Sequence, residues 1–428
     1  MTVPTPRLEH PTVRSALGTL LVAIAIAVVN LPGLLRPMPP GDACGTARPL
    51  IGPFTRFQNC DSPVFNLIAA DFTQLFTQAG ETRMGRPVFL AAGWLMDRLV
   101  FAASFGTIDP TDATAPLYER AEVGYVLLNI VLVSIAVVLA WRLTVGRDWH
   151  QAKTLRNQWP IAGLVFLFLA ANPVTKAFLW TSHTQMLVIL VPVLALMAGR
   201  WALTTRPTHR RIVIVGLAIG LGILAYASSV VIALVAATAF TFRRRLAATA
   251  MLLASTAALP VLWVTGVRLL HGSFYSVETE KFRQFVWVFD GLRDGTLLQM
   301  VRANIDGFLR SFFEGQTLLA LAIVIIVLGS VAFGSRIAPP AAQGLLRPLA
   351  FSVGFTASWF VLFLYAMGFY QTRLTWSLII TFLLAALILL ANTFISATPR
   401  QRRLLTVASA AIAGAWYVVW LAIPEPWF

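Results

Sequence analysis

Three carboxylates follow the first apolar run of the chain: Asp42, Asp61 and Asp71. Asp61 opens the stretch Asp61-Ser62-Pro63-Val64-Phe65-Asn66-Leu67-Ile68. After Pro63 the apolar positions 64, 65, 67, 68, 72, 75 and 76 fall on one broad helical face. This predicts an amphipathic helix lying on a membrane surface, with Asp61 and Ser62 at its N-terminal end. A carboxylate held there can act as a general base at the lipid–water boundary. The plainer role is a helix cap, and one residue can fill both.

Two further polar groups, Lys176 and His183, stand at the mouth of a later apolar run, His183 within Phe178-Leu179-Trp180-Thr181-Ser182-His183-Thr184-Gln185. Seven residues apart, they are expected to share one helix face. Polar side chains at that depth are costly unless used or solvated. The alternative is an interfacial anchor, with Trp180 in an aromatic belt. The five histidines, at 10, 150, 183, 209 and 271, show no metal-ligand spacing, so no metal site is expected. Walker loops, dinucleotide-binding glycine patterns, H-E-x-x-H and G-x-S-x-G are all absent.

The elements that must hold these residues are apolar helices. The chain has 428 residues, 58% of them hydrophobic and 12% charged, with 29 Phe and 13 Trp. A soluble chain carries about 25% charged residues. The composition excludes an ordinary cytosolic enzyme, a disordered chain and a disulfide-dense secreted module. The net charge of +15 on this apolar background points to loops held in the cytoplasm, and not to nucleic-acid binding.

Apolar runs fall at 16–35, 121–141, 159–172, 184–199, 212–225, 227–242, 246–265, 317–334, 348–367, 374–395 and 404–422. The sequence thus predicts an all-α polytopic membrane protein of about eleven transmembrane helices, forming one membrane domain over 1–428. The runs 159–172, 212–225 and 227–242 also suit half-helices or kinked segments. The first run reads as a retained anchor. With the N-terminus inside, the cytoplasmic segments hold 18 basic residues, including Arg243, Arg244 and Arg245, against only Glu9 and Asp148. This is a positive-inside pattern. It leaves two long extracytoplasmic loops, 36–120 with interfacial helices and 266–316. Function usually sits on such loops.

Cys44 and Cys60 are the only cysteines, and both lie in the first outer loop. In an oxidising compartment an even count reads as a disulfide, with two free thiols as the alternative. The bridge would close a loop of about 15 residues, worth roughly 3 kcal/mol in the chain-entropy model.

The order of these pieces resembles the GT-C glycosyltransferases, membrane enzymes that use polyprenyl-phosphate-linked sugars and include the protein mannosyltransferases and aminoarabinose transferases. The matching residues are Asp61-Ser62-Pro63-Val64-Phe65, then Gly85-Arg86-Pro87-Val88-Phe89-Leu90. Gly222-Ile223-Leu224-Ala225-Tyr226-Ala227-Ser228 resembles a mid-chain break between two spans, and Tyr370-Gln371-Thr372-Arg373-Leu374 a late outer turn. Many relatives carry two adjacent acids in the first loop, whereas Asp61 is followed by Ser62. The base is therefore shared between Asp61, Asp42 and Asp71.

The resemblance implies a hexosyl- or pentosyltransferase at the extracytoplasmic face of a bacterial-type plasma membrane. Its partners would be membrane lipid, a polyprenyl-phosphate sugar donor, and a glycan, glycolipid or protein acceptor. Nucleic acid is not expected, and a divalent metal has no support. Arg373, Arg86 and Lys176 would hold the donor phosphate, and His183, Tyr226 and Tyr370 the acceptor or sugar. Two other readings remain open on the residues alone: a transporter or lipid flippase, and a non-catalytic membrane assembly protein.

Overall fold

The computed structural model describes residues 13–35, 46–51, 54–58, 61–77, 85–103, 116–146, 152–272, 284–313, 316–334 and 340–423. Every one of the eleven apolar runs coincides with a helix. In chain order the helices are α1 (Val13–Val29), α2 (Ser62–Ala70), α3 (Gln74–Thr77), α4 (Pro87–Ala103), α5 (Pro116–Thr144) and α6 (Ala152–Ala170). Next come α7 (Pro173–Phe178), α8 (Leu187–Thr204), α9 (His209–Ala225), α10 (Val230–Phe242) and α11 (Leu246–His271). The last six are α12 (Trp287–Arg293), α13 (Leu297–Arg310), α14 (Gln316–Gly334), α15 (Pro340–Met367), α16 (Thr372–Ser396) and α17 (Pro399–Ala422).

Length separates these helices. Among the described residues six segments are long and apolar enough to cross a membrane: Ala121–Thr144, Thr184–Thr204, Leu246–Leu270, Pro348–Met367, Thr372–Ser396 and Pro399–Ala422. They account for six of the eleven apolar runs. Ala16–Val29, Gln158–Ala170, Ala227–Phe242 and Gln316–Gly329 are shorter apolar helices. At about 1.5 Å per residue the 13-residue α10 reaches roughly 20 Å, short of a ~30 Å hydrocarbon layer. Gln158 leaves helical geometry beside Pro160, and Tyr226 ends α9 in extended backbone. These two breaks fall at the segments whose run pattern suited kinks or half-helices.

The helices form a bundle with a continuous apolar core running from Val22 and Ile26 to Trp416. α8 is the most enclosed span and packs against α10, α15, α16 and α5. Arg243 donates to the Leu203 carbonyl at 2.7 and 3.0 Å, so α8 and α10 end at the same face. α9 and α10 therefore form a hairpin whose tip, Tyr226, returns to the end where α8 begins. Gly216 and Gly220 let α9 lie against α11: a Cβ at Gly216 would stand 1.9 Å from Ser255 Oγ, and one at Gly220 2.7 Å from the Thr256 carbonyl. Lipid-facing side chains such as Leu262 and Leu269 remain open on the outside of α11.

Two features of the long loops differ from expectation. The first loop carries an antiparallel β-hairpin, β1 (Thr46–Ile51) with β2 (Phe54–Gln58), so the chain is not wholly α-helical. Its register pairs Thr46 with Gln58 and Pro49 with Thr55. More consequentially, α2 is held by neighbouring helices. It packs against α4 and α5 and buries Ser62, Phe65, Asn66, Ile68 and Ala69. An apolar stripe is satisfied equally by lipid or by protein, and here protein supplies the partner. In the second loop, Tyr365 Oη donates to the Val301 carbonyl at 3.2 Å and ties α13 to the end of α15.

Candidate functional site

The bundle end where α8 begins holds a stretch of irregular backbone, residues 171–186, that is almost wholly buried. Non-helical backbone among apolar helices persists only when its polar groups are bonded within the protein. Asn172 supplies one set of bonds. Its Oδ1 accepts from the amides of Val174 and Thr175, and its Nδ2 donates to the carbonyls of Phe168 and Leu169. Asn129, in the middle of α5, donates to the carbonyls of Phe178, Leu179 and Thr181 at 2.8–3.2 Å. Trp416 and Trp420 of α17 donate their indole N–H groups to Ala171 and Asn172. Ser182 donates to Asn66 Oδ1, and Ser62 to the Ser182 carbonyl. The last two bonds fasten the start of α2 to the turn that carries His183.

That fastening brings Asp61 and His183 together. Asp61 occupies the N-cap position of α2 but makes no side-chain capping bond. Its Oδ2 instead lies 3.4 Å from His183 Nε2. The Asp61 side chain is 42% exposed, whereas that of His183 is 2% exposed. The imidazole is enclosed by the rings of Phe178 and Phe65, at 4.8 and 5.9 Å between centroids. Burial pushes His183 down to about 4; Asp61 opposes this, and the nearby Arg373 and Arg86 add to it. His183 is therefore neutral at pH 7, beside an ionisable carboxylate.

Two arginines complete the group. Arg86 precedes Pro87, the first residue of α4, and donates to Thr184 Oγ1 at 3.3 Å. Arg373, in the first turn of α16, lies with its guanidinium 5.5 Å from the Phe178 ring centroid. It is within electrostatic reach of Tyr226, Asp61 and Arg86. Tyr226 is buried, and its hydroxyl donates to Gln185 Oε1 at 3.4 Å. The start of α2, the start of α4, the 178–186 turn, the α9–α10 tip and the start of α16 thus converge on one place. Asp61, Arg86, His183, Tyr226 and Arg373, all expected from sequence, meet there.

Other expected site residues do not join this group. Lys176 Nζ donates to the carbonyls of Trp420, Leu421 and Ile423 at 2.7–3.1 Å and lies 5.3 Å from the Trp420 ring. These bonds cap the C-terminal end of α17. The shared helix face for Lys176 and His183 is corrected, because α7 ends at Phe178 and the chain turns before His183. Asp71 follows the last residue of α2 and accepts from Thr73 and Gln74 in its own turn. The side-chain bonds from Thr73 and Gln74 hold its carboxyl below the usual range. It does not continue the helix from Asp61. Tyr370 donates to the Tyr365 carbonyl at 2.9 Å and packs edge-on to Phe308 of α13. Asp42, Cys44 and Cys60 lie outside the described residues. No group of three or more metal-ligating side chains occurs among the described residues.

Sequence reasoning missed Asn66, Asn129, Asn172 and Thr184. Their available signal was an amide or hydroxyl within an otherwise apolar stretch, which is costly unless bonded. No family model, curated protein or solved structure matches the chain.

Proposed function

We propose that the chain is a GT-C type glycosyltransferase, moving a sugar from a polyprenyl-phosphate donor to a lipid, glycan or protein acceptor. One observation carries the reading: a part-exposed carboxylate and two arginines from separate helices converge at one end of an apolar bundle. A donor anchored by a polyprenyl chain cannot leave the membrane plane, so its head group must be met at such an end. Asp61 takes the proton of an acceptor hydroxyl as oxygen bonds to the anomeric carbon. The sugar–phosphate bond breaks in the same displacement, and Arg373 and Arg86 hold the departing phosphate. Tyr226 and His183 line the sugar side. On this reading the four shorter apolar helices and α9 complete an eleven-helix membrane domain, the N-terminus is cytoplasmic, and the site is extracytoplasmic.

The transporter reading draws on a different observation. Asp97 and Glu122 are both fully buried, Asp97 with Arg98 Nε at 3.9 Å. Ionisable groups inside a bundle mark transport paths in many membrane proteins. The site cluster, with its carboxylate open to solvent, favours chemistry. The deciding experiment incubates purified protein in vesicles with radiolabelled polyprenyl-phosphate sugars and extracted acceptor lipids. Label appearing in an acceptor, and lost in Asp61→Asn, supports the transferase. Release of label across the vesicle without transfer supports transport.

A further inference from the structure

In the second long loop, α13 carries apolar and charged side chains on separate faces, and none of its residues is buried. Leu298 is 82% exposed, and Ile305 and Leu309 are exposed with it. At ~100° per residue these three fall within about 40° of one another and form one open apolar stripe. The neighbouring arc of about 80° holds Gln299, Arg302, Asp306 and Arg310, all exposed. On the other side of the stripe the helix packs on protein. There a Cβ at Gly307 would stand 2.9 Å from the Tyr370 ring, and Phe308 meets the same ring edge-on. An apolar stripe left open between a packed face and a charged face marks an interaction surface.

What covers the stripe follows from where α13 is tied. α15 and α16 are consecutive candidate spans joined by residues 368–371. Tyr365 in the last turn of α15 and Thr375 in the first turn of α16 therefore stand at one face and at similar depth. Tyr365 Oη donates to the Val301 carbonyl at 3.2 Å. Thr375 Oγ1 donates at 3.0 Å to the carbonyl of Ser311, the residue after α13. Fixed near its middle to one span end and at its C-terminal end to the next, α13 runs along the boundary of the apolar layer and not down into it. Leu362, one turn before Tyr365 on α15, is exposed, so the lipid-facing outside of the bundle reaches the helix.

We infer that α13 is a membrane-surface helix: its Leu298, Ile305 and Leu309 stripe is seated in the lipid around α15, and its charged arc faces water. Such a helix sinks its apolar face about 5–10 Å into the boundary between head groups and acyl chains. Lipid surrounds the bundle at that level, whereas a protein partner would have to displace it. α13 carries two arginines against one aspartate, and Arg310 pairs with Asp306 at 2.8 Å. Apolar burial, and not attraction to acidic head groups, therefore seats the helix. Arg302, beside the stripe, lays its stem along the apolar surface and keeps its charge at head-group level. None of this depends on the transferase reading.

The test uses the full-length protein in nanodiscs of phosphatidylcholine, a lipid without net charge. A photo-reactive diazirine amino acid is placed singly at positions 298, 309 and 299, with position 262 on the outside of α11 as the lipid reference. Illumination should give lipid adducts at 298 and 309 comparable with those at 262, and a marked loss of them at 299. No lipid adduct at 298 and 309 while 262 reacts would overturn the inference, as would equal adducts at 298 and 299. Adducts to a second copy of the chain at 298 or 309 would replace lipid by a protein contact. A second measurement needs no variant. Hydroxyl radicals generated in the water around the wild-type nanodisc should oxidise Leu298, Ile305 and Leu309 as little as Leu262. Oxidation of Leu298 in keeping with its exposure would place α13 in water and end the proposal.

Discussion

Two cations, Lys176 buried and Arg373 half-buried, stand under the same end of the bundle and have opposite fates. Lys176 is enclosed by backbone: three carbonyls at the end of α17 take all three of its N–H donors, and Trp420 lies beside it. Arg373 lies against Phe178 and faces other side chains, Asp61, Tyr226 and Arg86. The carbonyls around Lys176 belong to a helix end whose partial negative charge is permanent. That arrangement is complete without a ligand. Arg373 shares its surroundings with a second guanidinium, and two cations in one place favour an anion. Type and depth in the sequence were the same for both residues; what each faces separates a fold-holding cation from a ligand-holding one.

The comparison breaks hardest at Asp61. Asn is nearly isosteric and cannot accept a proton at neutral pH, so Asp61→Asn should lower transfer by about 10²–10⁴, with the melting temperature near wild type. Asp71→Asn should retain full rate, since Asp71 is tied into its own turn. Equal rates for both variants would remove the first-loop base.

The two cations should then separate by readout. Arg373→Ala should weaken binding of a short-chain polyprenyl phosphate by about tenfold or more, and Arg373→Lys should recover only part of it. Lys176→Met should leave that affinity unchanged and cost stability, about 1–3 kcal/mol for carbonyls left unpaired. Calorimetric titration beside thermal melting checks the crossing. A Lys176→Met protein that melts like wild type but binds phosphate poorly would return Lys176 to the site.

His183 gives a stability signature of its own. Its folded value of about 4 lies below the ordinary 6.5. Between those values the unfolded chain binds the proton and the folded chain does not. Stability should therefore be full above pH 6.5 and decline as pH falls towards 4, by roughly 3 kcal/mol. His183→Gln should flatten that decline; an equally steep profile would place its origin elsewhere. The smallest effect concerns the first-loop hairpin. Its pairs run Thr46 with Gln58 and Ala47 with Phe57, and the two cysteines flank it in the sequence. Peptides holding Cys44 and Cys60 should be linked in non-reducing mass mapping, with reduction costing up to about 3 kcal/mol. Free alkylation of both without reductant would exclude the bridge.

Much of the site was legible because it lies at the ends of apolar runs. His183, Tyr226 and Arg373 each border such a run, and Asp61 and Arg86 precede the shorter apolar stretches of the first loop, where a polar side chain must be bonded, solvated or used. The residues that build the site were hidden for the same reason. Asn129 sits in the middle of α5, and its acceptors are about 50 residues away. Its spacing names no partner. The register of Lys176 and His183 misled because a regular helix was assumed where the Asn172 cap and the break after Phe178 shorten it to α7.

The sequence by itself determined the class of the molecule: hydropathy and charge, summed over long runs, leave apolar helices as the only economical state for so much apolar chain. It also determined the kinds of group available at the helix ends. Only the tertiary structure decided how many of the described helices are long enough to span, that α2 packs on α4 and α5, and which cation faces a carbonyl cage and which a carboxylate. Those outcomes depend on long-range packing, where lipid and protein satisfy the same apolar stripe and the partner of each polar group lies far away in the chain.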